Sequence, residues 1–330
     1  MAEVYTRRRA IAIFAAAAGL PLLTRAEATE RPVVWKGQAL GAPAMLVLNH
    51  RDRSEAQRLM SRVVTEVARL EAIFSLYRGD STLSELNRAG ALAAPPREMV
   101  ALLEACRRAW EATDGAFDPT VQPLWALYRD HFAKLDPDPA GPPIQEIAHA
   151  LSHVGFAGVR YDRDRIALAP KMAITLNGVA QGYITDRIVD ILRNAGVTSS
   201  LVDMGEDRAI GANADGKPWT IGLAQQEDSD RPDAVLQIVD KAVATSSAAG
   251  LSFDPAGRLG HIIDPRSGHA PILYARVSVV ADEAATADAF STAFTLMDEN
   301  AIRDVVDARQ DLAVDLVKVN GKRVRYGSFA

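Results

Sequence analysis

His261-Ile262-Ile263-Asp264-Pro265-Arg266-Ser267-Gly268 is followed by the apolar run Val277 to Ala281, then by Ala287-Asp288-Ala289-Phe290-Ser291-Thr292. Asp288 and Thr292 stand four apart. In a helix from Glu283 to Met297 both oxygens lie on one face. A carboxylate and a hydroxyl on one turn can hold a hard cation such as Mg2+. His261 and Asp264 flank a strand end that turns at Pro265 and Gly268. A histidine there can serve as acid, base or hydrogen-bond donor. The plain alternative is a strand, a turn and an ordinary helix start, and for Asp288 alone that reading wins, because Asp and Thr recur at this spacing by chance. The choice rests on segments upstream.

The chain has 330 residues, enough for one large domain or two modest ones. Its 48% hydrophobic and 24% charged content is that of a soluble globular protein. A net charge of -5 does not suggest a nucleic-acid partner. Arg7-Arg8-Arg9 precedes an apolar run from Ala10 to Leu23 and then Ala26-Glu27-Ala28. This is a basic start, a short hydrophobic region and an A-x-A cleavage site, and the paired arginines point to twin-arginine (Tat) export to the periplasm over a plain Sec signal. The run is short and Ala-rich for a membrane span, so no stable span is expected after cleavage. Removing residues 1–28 takes away four arginines and two glutamates, moving the net charge from -5 to -7. The remainder, 29–330, is expected to form the functional domain. Cys106 is the one cysteine, which excludes an internal disulfide and any Cys-based metal site. It lies in a helical pattern from Met99 to Trp110 and reads as a core residue.

Val33-Val34 and Ala44 to Leu48 read as strands, with Gln38-Ala39-Leu40-Gly41-Ala42-Pro43 between them. Ser54 caps a long helix to about Phe74, with Leu59, Val63, Val67, Leu70 and Phe74 on its apolar face. Phe74-Ser75-Leu76-Tyr77-Arg78 opens a polar loop into a short helix. Pro96 to Thr113 is a second amphipathic helix, followed by Gly115-Ala116-Phe117-Asp118-Pro119-Thr120. Asp118, beside an aromatic at a helix start, can bind a base or ribose hydroxyl, but locally a plain cap is the simpler reading. Asp136 to Pro143 is a surface loop, Ile144 to Val154 a helix, and Val159 to Leu168 a hairpin.

Ile174-Thr175-Leu176 looks like a strand, and Asn177-Gly178-Val179-Ala180-Gln181-Gly182-Tyr183 turns it into a helix reaching Asn194. A strand, a glycine-bearing turn and a helix start make a phosphate site through free backbone N–H groups. The spacing is neither G-x-G-x-x-G nor a P-loop, so by itself it is a weak signal. A strand from Ser199 to Val202 and Met204-Gly205-Glu206-Asp207 follow. Trp219 to Val243 looks antiparallel, and Leu312 to Tyr326 reads as a closing hairpin. This irregular alternation argues a mixed α/β (α+β) fold.

Taken together, Phe-Ser-x-Tyr77-Arg78, Gly115 to Leu124, Gly178-Val179-Ala180-x-Gly182-Tyr183-x-x-Asp186, Ala244-Thr245-Ser246, His261 to Gly268 and Thr286-Ala287-Asp288-Ala289-x-x-Thr292 resemble the ApbE family, the FAD:protein FMN transferases. The resemblance runs from about Gly37 to the C-terminus. It implies an α/β unit with two lobes around an FAD cleft. It also implies Mg2+-dependent transfer of FMN from FAD to a Thr or Ser hydroxyl of an acceptor flavoprotein, with release of AMP. Phosphoryl transfer on a pyrophosphate is mainly a problem of charge and position, which a divalent cation answers. By resemblance, the Ala180 carbonyl, Asp288 and Thr292 hold the metal and His261 is catalytic. Ala116, Phe117 and Asp118 hold the adenosine end, with Tyr77 and Arg78 in the same cleft. Asn177, Gln181, Tyr183, Thr245, Ser246 and Ile262 face the phosphates or the isoalloxazine. Leu40-Gly41-Ala42 stands where the family usually has Met-Gly-Thr.

Three positions depart from the family pattern. Gln181 replaces a usual Lys or Glu, Met204-Gly205-Glu206-Asp207 replaces a Gly-Gly-Asp turn, and Ser247 stands where Gly is common. They bear on affinity and flavin contacts. The acceptor is expected in a membrane or periplasmic redox complex; exported family members that serve nitrous oxide respiration offer one such setting. Two other functions stay open: an FAD-storage protein or FAD pyrophosphatase yielding FMN and AMP, and a non-enzymatic assembly factor for a membrane redox complex.

Overall fold

The first two strands, β1 (Val33–Ala39) and β2 (Ala42–Leu48), pair antiparallel from Val33 against Leu48 to Ala39 against Ala42. Leu40 and Gly41 form the turn, both at positive φ, 50° and 81°. Two such residues match the twist of the flanking strands. The strands therefore outrun their apolar cores, and most of the stretch read as a connection is sheet. The computed structural model describes residues 32–223, 232–247, 252–254 and 257–329. The expected signal segment, 1–28, lies outside them.

Helix α1 (Arg53–Phe74) buries Leu59, Val63, Val67, Leu70 and Phe74, as their spacing predicts. Each such side chain contributes about 1.5–3 kcal/mol when fully buried. Its cap is Asp52, not Ser54: Asp52 Oδ1 accepts from the N–H groups of Ser54 (2.8 Å) and Glu55 (3.1 Å). An ionised cap at the positive end of the helix outcompetes a hydroxyl one residue on. Next come α2 (Thr82–Ala89), β3 (Ala91–Ala93) and α3 (Arg97–Ala112), the last with Cys106 fully buried. A 3-10 turn at Pro119–Val121 leads into α4 (Gln122–Phe132), then α5 (Ile144–Leu151) and the short strands β4 (Arg160–Tyr161) and β5 (Arg165–Ala167).

Ile174 to Leu176 is extended but is not a strand. The Asn87 side chain takes the place of a neighbouring strand. Its Oδ1 accepts from Ile174 N–H and its Nδ2 donates to Ile174 C=O, each at 2.8 Å. Helix α6 (Ala180–Asn194) follows, then β6 (Ser200–Asp203), β7 (Asp207–Ile210), the hairpin β8 (Trp219–Leu223) and β9 (Ala234–Ile238), and β10 (Ala242–Ser247). The last elements are β11 (Tyr274–Ala281), α7 (Ala284–Phe294), α8 (Glu299–Asp307), β12 (Ala313–Lys318) and β13 (Arg323–Gly327). The fold is mixed α/β.

Eight strands form one antiparallel sheet in the order β1-β2-β6-β7-β10-β11-β12-β13. Its helix-covered face joins α1, α3, α6 and α7 in the main core. The other face packs Leu201, Val243 and Val280 under the β8–β9 hairpin. A third cluster unites α4 and α5 with Ile263 and Ala270. His261 to Asp264 is loop rather than strand end. Asp264 organises it: its N–H donates to His269 C=O (2.7 Å), its C=O accepts from Gly268 N–H (2.8 Å), and its carboxylate chelates Arg266 at 2.9 Å.

Candidate active site

The site grows from the pairing of α6 with α7. Helix α7 is Ala-rich and nearly enclosed, with only Thr286 and Thr292 half-buried. Small side chains let it lie between α3, α6, β10 and β11. Gly182 is required for that approach, because a Cβ there would collide with the Ala284 carbonyl oxygen. A Cβ on Gly178 would sit 2.9 Å from Thr292 Oγ1. Asp288, 3% exposed, accepts from the Gly182 N–H through Oδ2 at 3.1 Å. Asp288 and Thr292 therefore share one face of α7, and that face meets the turn that opens α6.

This face offers a carboxylate and a hydroxyl, oxygen donors of the kind that suits a hard divalent cation, and Ala180, whose carbonyl the resemblance adds to them, is the first residue of α6. Gln181 is buried, its amide lying where a Cβ on Gly205 would go. Asn177 Nδ2 donates to Tyr77 OH at 3.2 Å, and Tyr77 is 64% exposed. Ser246 Oγ and Ser291 Oγ lie 2.9 Å apart, tying β10 to α7, and Ser291 Oγ donates to Asp288 C=O at 3.0 Å. Thr245 Oγ1 is 2.9 Å from Ser278 Oγ.

The Gly115 to Asp118 turn lies beside the loop that carries Arg266. A Cβ on Gly115 would lie 3.9 Å from Arg266 Cγ, and Arg266 Nη2 donates to Leu296 C=O at 2.8 Å. Arg266 thus joins the loop that also bears His261 and Ile262, both half-buried, to this turn and to the segment just after α7. Ala116 and Phe117 are buried. Asp118 is a cap in this structure. Its Oδ1 accepts from Thr120 N–H (2.8 Å) and Thr120 Oγ1 (2.6 Å), and its Oδ2 from Phe156 N–H (2.9 Å). Burial pushes its carboxyl above the ordinary range, against the pull of those donors.

Other expected residues make contacts elsewhere. Leu40 N–H donates to Glu71 Oε1 on α1 at 2.7 Å, and Gly41 is exposed at the hairpin tip. Arg78 is exposed and paired with Asp80 at 3.0 Å. Tyr183 packs edge-on against Phe74, ring centres 5.5 Å apart. Glu206, just before β7, is accommodated beside the sheet: the Thr245 N–H, beyond the last β7–β10 pair, donates to Glu206 Oε2 at 3.3 Å. The parts that sequence reasoning passed over are Ser291 and Asp186. Asp186 belongs to the quoted motif, but local spacing cannot reveal that the two N–H groups it accepts from, those of Ala284 and Ala285, lie 98 and 99 residues away.

The model of the ApbE family matches residues 40–316, and the chain belongs to that family. It is 28% identical over 304 residues to the FAD:protein FMN transferase of Salmonella typhimurium, covering 88% of this chain and 85% of the relative. It is 31% identical over 275 residues to the FAD:protein FMN transferase of Treponema pallidum, covering 75% and 73%. The structure superposes on the ApbE protein of Thermotoga maritima with a TM-score of 0.78 at 27% identity, over 89% of this chain and 97% of that one. The flavin transferase ApbE of Vibrio cholerae has the same fold, with a TM-score of 0.77 at 24% identity over 90% and 98%.

Proposed function

We propose that this chain transfers FMN from FAD to a Ser or Thr hydroxyl of an acceptor protein. The observation that carries the reading is the convergence of Asp288 and Thr292 on the turn that opens α6. Family membership supports it. The acceptor oxygen would attack the FMN-side phosphorus, a phosphoester would form, and the pyrophosphate bond would break so that AMP leaves with the bridging oxygen. The hydroxyl proton goes to His261. Mg2+ held by the Ala180 carbonyl, Asp288 and Thr292 would supply charge neutralisation to the diphosphate. Backbone N–H groups at the start of α6 would add partial positive charge. Ala116, Phe117 and the cap Asp118 would shape the adenosine end, with Tyr77, Arg78 and Asn177 at the mouth. Gln181, Tyr183, Thr245, Ser246, Ile262, Leu40 and Gly41 would border the rest of the nucleotide.

Residues 1–28 would direct export through the twin-arginine route, placing the enzyme and its acceptor in the periplasm. Among the described residues no helix is long and apolar enough to cross a membrane. A redox complex, including one that serves nitrous oxide respiration, is the proposed setting of the acceptor. The test is to incubate the mature protein with FAD, Mg2+ and an acceptor bearing an Asp-x-x-(Ser/Thr)-x-(Ser/Thr) site. A flavin mass adduct on the acceptor is expected. AMP release without an adduct would favour hydrolysis, and tight FAD binding without turnover would favour storage.

A further inference from the structure

Helix α7 begins without a cap of its own, since the Glu283 side chain at its N-cap position makes no capping bond. The missing acceptor comes from α6. Asp186 Oδ1 accepts from Ala284 N–H at 2.8 Å and its Oδ2 from Ala285 N–H at 2.9 Å. Arg208, on β7, pairs with Asp186 Oδ1 from the other side. The side chains of Asp186 and Arg208 are only 14% and 9% exposed. This bond completes a ladder. Gly178 lies against Thr292, Gly182 against Asp288 and Ala284, and Asp186 against Ala284. Each rung is four residues from the next in antiparallel sense, the first step leading from the turn before α6 into the helix and the second spanning about one helical turn.

We infer that Asp186 is a positioning residue that fixes the axial register of α7 on α6, and with it the spacing between the Ala180 carbonyl and the Asp288–Thr292 pair. The inference rests on the metal site proposed above. In the upper rungs Thr292 and Asp288 are the proposed ligands themselves, so they cannot both hold the helix and adapt to the ion, and the Gly182–Ala284 approach offers close packing without a hydrogen bond to Ala284. The lower rung holds it from outside the site. A carboxylate suits this task because it accepts two N–H groups at once and favours the positive end of the helix. Arg208 keeps the buried charge paired.

Asp186→Asn preserves shape but offers one accepting oxygen in place of two; Asp186→Ala removes both. Mn2+ binding followed by electron paramagnetic resonance, with FAD present, reads the site without turnover. An outer partner of this kind is expected to weaken metal binding by about 10–100-fold when lost. Amide exchange should quicken at Ala284, Ala285 and Asp288, while FAD affinity in EDTA and exchange in the β11–β12 pair stay at wild-type values. Excess metal should restore transfer. Asp186→Asn serves where Asp186→Ala does not fold. Wild-type Mn2+ affinity in a folded Asp186→Asn protein overturns the inference while leaving the site intact. So does a loss of metal and FAD binding together with quickened exchange across the sheet. Absence of Mn2+ binding in the wild type, or its persistence in Asp288→Ala, removes the metal site and the inference with it.

Discussion

The backbone N–H of Gly182 donates to Asp288 Oδ2 at 3.1 Å, so the start of one helix is bonded to the middle of another 106 residues later. Replacing Asp288 with Ala removes that acceptor and the proposed ligand together; Asp288→Asn keeps the acceptor and the shape but loses the charge. Both variants are expected to lose Mg2+-dependent flavin transfer, and the Asn variant to keep the wild-type melting temperature more closely. Adduct formation by mass spectrometry across a Mg2+ titration checks this. Undiminished transfer by either variant would remove Asp288 from the metal site.

Gly182→Ala drives a methyl into the Ala284 carbonyl, and both partners are backbone. Neither helix can yield without losing the ladder. Overpacking of this kind costs about 1–3 kcal/mol, and at about 2.1 cal/mol/K of unfolding entropy per residue each kcal/mol lowers the melting temperature of a chain this long by roughly 1.5 °C. Calorimetry on the variant reads the cost directly. A melting temperature equal to wild type would mean that the two helices slide freely.

His261→Ala is expected to bind FAD normally and to lose transfer by about 10²–10⁴-fold, the usual range for a general base. Fluorescence quenching of FAD and single-turnover adduct formation separate the two effects. A fully active variant takes the histidine out of the chemistry.

Asp207 lies buried on β7 with Oδ1 unpartnered. Burial pushes its carboxyl well above the ordinary range, and the charges of Asp203 and Glu206 push the same way. Burial likewise lifts Asp186 to about 6, against the pull of Arg208. For such groups the folded state binds the proton more tightly than the unfolded chain. Their contribution to stability is greatest below the ordinary carboxylate value of 3.8 and declines as pH rises, for Asp186 through about 6. Asp207→Asn should therefore raise the melting temperature at pH 7–8, with the gain shrinking toward pH 4. A variant less stable than wild type at pH 8 would contradict this.

Cys106 is fully enclosed in α3, and burial raises its thiol far above the ordinary value. It should resist thiol reagents in the native protein and react after denaturation. Rapid native labelling would show that α3 opens.

Periodicity made much of this fold readable. The apolar face of α1 from Leu59 to Phe74 and the β12–β13 hairpin needed only local spacing. Where neighbours compete for one role, spacing fails: Asp52 takes the cap that Ser54 appeared to hold, through bonds of 2.8 and 3.1 Å. It fails again at Ile174 to Leu176, which has strand composition but pairs with the amide of Asn87 instead of a strand. The candidate site divides the same way. Asp288 and Thr292 are four apart in sequence, so their common face was legible. Their opposition to Gly182 and Gly178 is a register between distant helices, and no local pattern encodes it. Glu206, in the segment that replaces a Gly-Gly-Asp turn, is held by the Thr245 N–H, a bond between distant segments that local spacing does not show.

The enclosure of α7 has a consequence for how the molecule comes apart. Its neighbours are α3, α6, β10 and β11, whereas the β8–β9 hairpin roofs the opposite face through a small cluster of its own. Heat or denaturant should therefore peel away that roof before it reaches the helix carrying Asp288. The oxygens proposed to grip a cation would then outlast the roof, and a half-opened molecule would still present them in place.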